Sequence, residues 1–153
     1  MASELATFDY AVVMSVVSIR FSDEPVHERL RESARRHKMA ISTLAERLID
    51  EGLRSEAHPL VVFRPAATGR RAVLVGGPEI ADVVGAIVGG DVPVDQRRAR
   101  AAELLAITGA QVDAALAYYA EFTDEIDTLI AERAQQADAA EARWRRQQAL
   151  LES

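Results

Sequence analysis

The residues best equipped for chemistry in this chain are arginines, and three groups of them stand out. Arg20 closes an alternating run in which Val17, Ile19 and Phe21 interleave with Val16, Ser18 and Arg20. Arg29, Arg31, Arg35, Arg36 and Lys38 crowd into ten positions against Glu32 alone. Arg143, Arg145 and Arg146 surround Trp144 close to the C-terminus. A guanidinium is a planar fork that grips phosphate, carboxylate or a guanine edge with paired hydrogen bonds. The chemistry on offer is therefore recognition of acceptors and anions rather than bond making.

Other chemistries are excluded by composition. The chain of 153 residues has no cysteine, so disulfides and thiolate metal sites are out, and a reducing cytoplasm fits. His27, His37 and His58 do not cluster at ligand spacing, so no metal is expected. Gly76-Gly77 runs into Pro78 with no Lys-Ser/Thr behind it, so it is a turn and not a phosphate loop. No Ser/His/Asp set or Cys/His pair is evident; catalytic residues and cofactors are expected to be none. The most apolar N-terminal run, Tyr10 to Ile19, falls far short of the roughly 20 residues of a membrane helix. Glu4 and Asp9 precede it without a basic residue, unlike a signal peptide, so a cytoplasmic protein away from membranes is expected. The net charge of −6 weighs against a nucleic-acid binder, but it is an average. From Phe122 onward there are seven acids and four arginines, whereas positions 29–38 are strongly basic.

The elements that must position these groups follow from periodicity. Residues 1–12 show no period and are expected to be a flexible arm. Ser15–Ser22 alternates as a half-buried strand does. Ser22-Asp23-Glu24-Pro25 supplies a cap, early acids and a first-turn proline for a helix with the stripe Val26, Leu30, Ala34. His37-Lys38-Met39-Ala40 breaks that pattern. A second helix then points Leu44, Ala45, Leu48, Ile49 and Leu53 inward, with Thr43 and Glu46 as a candidate capping box. A linker is expected over 55–60, beginning as early as Arg54. Leu60–Arg64 and Arg71–Val75 read as a hairpin around Pro-Ala-Ala-Thr-Gly. Three helices follow: one through Ile80, Val83, Val84 and Ile87, one from Val94 to Ile107 with Ala101, Leu104 and Leu105 inward, and one carrying Val112, Leu116 and Tyr119. Thr123-Asp124-Glu125 restarts a helix to the C-terminus, whose stripe is Ile126, Ile130, Ala134, Ala137, Ala140, Trp144 and Leu151.

One strand and two short helices cannot bury enough surface alone. Two copies can, if their strands pair antiparallel over four helices. Val17, Ile19, Phe21, Leu30, Leu44 and Leu48 would then form the dimer core, with Val16, Ser18 and Arg20 facing outward. A two-stranded ribbon fits the major groove of DNA, where Arg20 can read guanine and Val16 a thymine methyl. Arg35, Arg36 and Lys38, with the helix start at Ser42 and Thr43, can hold the phosphate backbone.

Residues 15–54, through Val17-Ser18-Ile19-Arg20-Phe21-Ser22, Leu30, Ala34, Ser42-Thr43-Leu44-Ala45 and Leu48-Ile49, resemble the ribbon-helix-helix family of the CopG/Arc type. That family's turn usually carries glycine, where this chain has Lys38, Met39 and Ala40. Residues 58–128 resemble a small domain of uncharacterised function with a homeodomain-like helical core, found in bacterial antitoxin-like proteins. His58-Pro59, Gly69-Arg70-Arg71, Gln111–Ala120 and Asp124-Glu125-Ile126-Asp127 carry that likeness. The expected fold is mainly α: a ribbon-helix-helix module over 13–54 as an intertwined homodimer, a hairpin plus three-helix domain over 61–122, and a partner-binding helical tail over 123–153.

A ribbon-helix-helix dimer with such a tail is similar to type II antitoxins, most closely the VapB-like ones. The resemblance implies a repressor of its own operon that also neutralises a PIN-domain ribonuclease. An arginine entering the toxin's cluster of Mg²⁺-binding carboxylates would compete with the metal. On that resemblance Ile130, Arg143, Trp144, Arg145 and Arg146 are the toxin-binding residues, with Trp144 the anchor and the arginine left open among three. The competing reading is a free-standing regulator without a toxin.

Overall fold

The computed structural model describes residues 16–88 and 92–151. The expected arm over 1–12 lies outside them. Six helices and one antiparallel hairpin make up the described residues, so the chain is mainly α. It divides into two compact units, the first ending at Ala45 and the second starting at Glu46.

In the first unit, α1 (Glu24–Arg36) begins where the early acid and Pro25 placed it, although Asp23 makes no side-chain capping bond. Pro25 has no N–H to lose in the first turn, which is why it suits that position. The chain turns at His37–Met39, and Lys38 sits in the left-handed region at φ +53°. Lys38 thus takes the conformation that glycine adopts without strain. The next helix, α2 (Ile41–Ala57), starts two residues before Thr43, so the expected Thr43/Glu46 capping box does not form.

Two further expectations change here. No strand forms over residues 16–22, because a strand needs a hydrogen-bonded neighbour and no described segment pairs with this one. The expected linker over 55–60 is helical as far as Ala57, leaving only His58–Leu60 between α2 and the hairpin.

In the second unit, β1 (Val61–Pro65) pairs antiparallel with β2 (Arg70–Leu74), with Val61 opposite Leu74 and Arg64 opposite Arg71. Then come α3 (Ile80–Val88), α4 (Val94–Leu105), α5 (Gly109–Glu121) and α6 (Thr123–Leu151). The core joins Val61 and Leu74 of the hairpin, Ile80, Val83 and Val84 of α3, Val112 and Tyr118 of α5, and Ile126 of α6. Each of these apolar chains removes enough surface from water to contribute about 1.5–3 kcal/mol before entropy is counted.

α5 is fixed at its start by a capping box: Gln111 N–H donates to Thr108 Oγ1 at 3.2 Å and Thr108 N–H to Gln111 Oε1 at 2.9 Å. Two otherwise unpaired amides are satisfied reciprocally, which registers the helix against the preceding turn. The inward face differs from the expected one. Tyr118 is buried while Tyr119 is only partly so, and Leu104 of α4 is 61% exposed although expected inside.

Candidate functional site

The residues expected on the ribbon and its flanks stand open in the single chain. Val16, Ser18 and Arg20 are exposed, and Arg20 has no hydrogen-bond or ion-pair partner among the described residues. Arg36 and Lys38 are likewise exposed and free, whereas Arg35 lies 3.6 Å from Glu28. Ser42 and Thr43 occupy the first turn of α2, exposed, and the first backbone bond there runs from Leu44 N–H to Ala40 C=O. The amides ahead of Leu44 are those a helix leaves without an internal acceptor.

The proposed dimer-core residues separate into two classes. Leu44 is already buried in the single chain and Leu30 is half-buried. Val17, Ile19, Phe21 and Leu48 are exposed in the single chain, where the expected core between two copies is not formed. Val26, Ile41, Ile49 and Leu53 are exposed with them. An isolated apolar side chain at the surface is ordinary; an alternating strand-like row and a helix both showing theirs is not.

A cluster that sequence reading missed lies in the second unit. The Arg54 guanidinium sits over the Phe122 ring, 4.1 Å from its centre. It donates to Tyr118 Oη at 3.0 Å and Glu125 Oε2 at 2.6 Å, and its Nε donates to Asp50 at 3.1 Å. Burial works against the Arg54 charge, but the hydrogen bonds to Glu125, Tyr118 and Asp50 outweigh it and hold the proton more tightly than usual. Burial pushes the Tyr118 phenol up, against the pull of the Arg54 hydrogen bond. His58 joins the cluster, 2.8 Å from Glu121 and edge-on to Tyr118. It lies in the short connection between α2 and the hairpin and packs there against the aromatic cluster. The Asp50/Arg54 spacing of four was the only signal in sequence, and it looks like any exposed helix pair.

The tail also divides in two. Ile126 is buried and Ile130 packs against the core, so Ile130, expected to bind a partner, is engaged within its own unit. Arg133 ties α6 to α3, donating to Asp82 at 2.7 Å and to Glu79. Beyond Arg133 every described residue except Gln148 is exposed, and Trp144 is 58% exposed. Of the three tail arginines, Arg145 donates to Glu141 at 2.5 Å. Arg143 and Arg146 have no partner among the described residues, and with Ala139 and Ala142 they line a shallow groove.

No three histidine or acidic side chains among the described residues gather at a metal-holding distance. No helix among them is long and apolar enough to cross a membrane. No family model matches the chain, and neither the curated proteins nor the solved structures contain a match to it.

Proposed function

We propose that this chain is the antitoxin of a type II toxin–antitoxin pair, a dimeric repressor that reads DNA with a ribbon and holds a ribonuclease toxin with its tail. One observation carries the reading. The row Val17, Ile19, Phe21 and the faces of α1 and α2 expose large apolar side chains, and Arg20 within that row has no partner among the described residues. A second copy supplies both missing halves: strand edges for the unpaired segment and apolar surface for the open helices. The pair then presents Val16, Ser18 and Arg20 from each copy on one outer face, sized for the major groove.

The tail supports the second half of the activity. Past Arg133 its described residues are exposed apart from Gln148, and it carries an exposed tryptophan beside Arg143 and Arg146, which have no partner among the described residues. Aromatic and arginine side chains are those that dominate protein–protein hot spots. Free guanidiniums suit a partner whose site is a cluster of carboxylates.

The test joins assembly to DNA binding. Ile19→Glu should leave a monomer that no longer binds the operator upstream of its own gene. Arg20→Ala should remain dimeric and lose about 1–3 kcal/mol of operator affinity with relaxed base preference. A folded monomer that binds the operator, or an unchanged Arg20→Ala, would overturn the ribbon. A neighbouring ribonuclease gene whose toxicity this chain suppresses separates the antitoxin from a free-standing regulator.

A further inference from the structure

Near the tip of the β-hairpin lie two arginines without an ion pair among the described residues. Arg64 and Arg71 are register partners on the antiparallel ladder. Directly opposed residues share one face of a hairpin with Cβ atoms about 5 Å apart, and like charges there repel. Arg70, one position along, shows how this fold satisfies a guanidinium: it donates to Glu51 at 2.6 Å and to the Phe63 carbonyl at 2.8 Å. Arg71 reaches only uncharged acceptors, Thr68 Oγ1 at 2.8 Å and the Arg70 carbonyl at 3.3 Å. Arg64 reaches none, and neither arginine has a carboxylate partner among the described residues.

Arg71 and Thr68 also line one side of a cavity of about 190 Å³ whose floor includes Leu129. The same cavity is lined by Glu79, which is neutralised by Arg133, and by Glu132, which makes no ion pair among the described residues. A run of anions would meet Glu132. A single oxyanion held between Arg64 and Arg71 brings less charge against that carboxylate, and it would convert the Arg64–Arg71 repulsion into two charge-assisted contacts.

We propose that Arg64, Arg71 and the Thr68 hydroxyl form a binding site for one phosphate-class oxyanion. Two sources can present that group: a phosphate of the DNA backbone or a free phosphate-bearing compound. Only the choice between them involves the DNA-binding reading; the site itself stands on the hairpin.

The experiment compares the full chain with Arg64→Gln, which removes a charge that makes no contact and so leaves the fold intact. In chloride buffer Arg64→Gln should melt higher than the wild type, because the repulsion is gone. On adding inorganic phosphate at matched ionic strength, the wild type should rise and that gap should close. The variant should bind phosphate about tenfold more weakly, and the Arg71 Nε–Hε resonance should shift only in the wild type. Equal phosphate responses from both proteins, or none from the wild type, would overturn the site. The second arm is the salt dependence of operator binding. A slope shallower in Arg64→Gln by about one counterion per copy assigns the oxyanion to DNA. An unchanged slope with the phosphate response intact assigns it to a free compound.

Discussion

The Arg54 guanidinium lies 4.1 Å from the centre of the Phe122 ring, which joins the last turns of α2 to the junction between α5 and α6. Stacking leaves the edge of the planar group free, so the same side chain also donates to Tyr118 and Glu125. Removing it leaves an exposed carboxylate and a buried phenol without their donor. Arg54→Ala should cost about 2–4 kcal/mol in urea unfolding. Arg54→Lys should recover less than half of that, since an ammonium cannot stack and fork at once. Full rescue by lysine would reduce the contact to simple charge.

Lys38 and Ala106 each hold a left-handed backbone, at φ +53° and φ +52°. A side chain there brings Cβ against the neighbouring carbonyl, at about 1–2 kcal/mol relative to the right-handed form. Glycine avoids that clash but loses more freedom on folding. Lys38→Gly and Ala106→Gly should therefore each stabilise by a net amount of about 0.5–1 kcal/mol, read as a higher urea midpoint at constant slope. Glycine at position 38 should also weaken operator binding, because it removes one of the free cations next to α2.

Much of the architecture was legible because period and punctuation are local. The hairpin, the start of α3 after Gly76-Gly77-Pro78 and the restart at Thr123 all follow from neighbouring residues. What was not legible depends on distant partners. The Arg54 cluster spans 71 positions of sequence to Glu125, and no pattern within α2 marks it. Tyr119 was expected inside and Tyr118 is: successive residues lie about 100° apart around the helix, but the sequence of α5 is apolar almost all round, so period alone does not fix which face turns inward. The alternation at Ser15–Ser22 is that of a strand, yet residues 16–22 form none, because no described segment pairs with them.

Arg98 binds Asp113 through Nε at 2.6 Å and through a second nitrogen, joining α4 to α5. The Arg98 hydrogen bond holds the Asp113 carboxyl below its ordinary value of 3.8. A carboxyl depressed in the folded state contributes stability above its unfolded value and loses it as pH falls through the folded one. Asp113→Asn should therefore lower stability near neutrality and flatten the acid limb of the melting curve. The pair is exposed, so the difference should shrink in high salt. A parallel acid limb in the two proteins would leave Asp113 without a role in the acid sensitivity.

The position of Arg133 decides where the tail can be cut. A truncation at Phe122 would remove Ile126, which is 2% exposed, and the Arg133 bonds to Glu79 and Asp82. It would damage the core along with any partner surface. A chain ending at Gln135 keeps both anchors, and the described residues it removes are all exposed in the single chain apart from Gln148. It should retain the melting temperature to within a few degrees and bind the operator as before. It should also fail to suppress the toxin. Arg143→Glu with Arg146→Glu should reproduce that failure in the full chain, while Arg145→Glu, whose native arginine is already paired to Glu141, should do so less. Suppression by the Gln135 truncation would move the toxin surface off the tail.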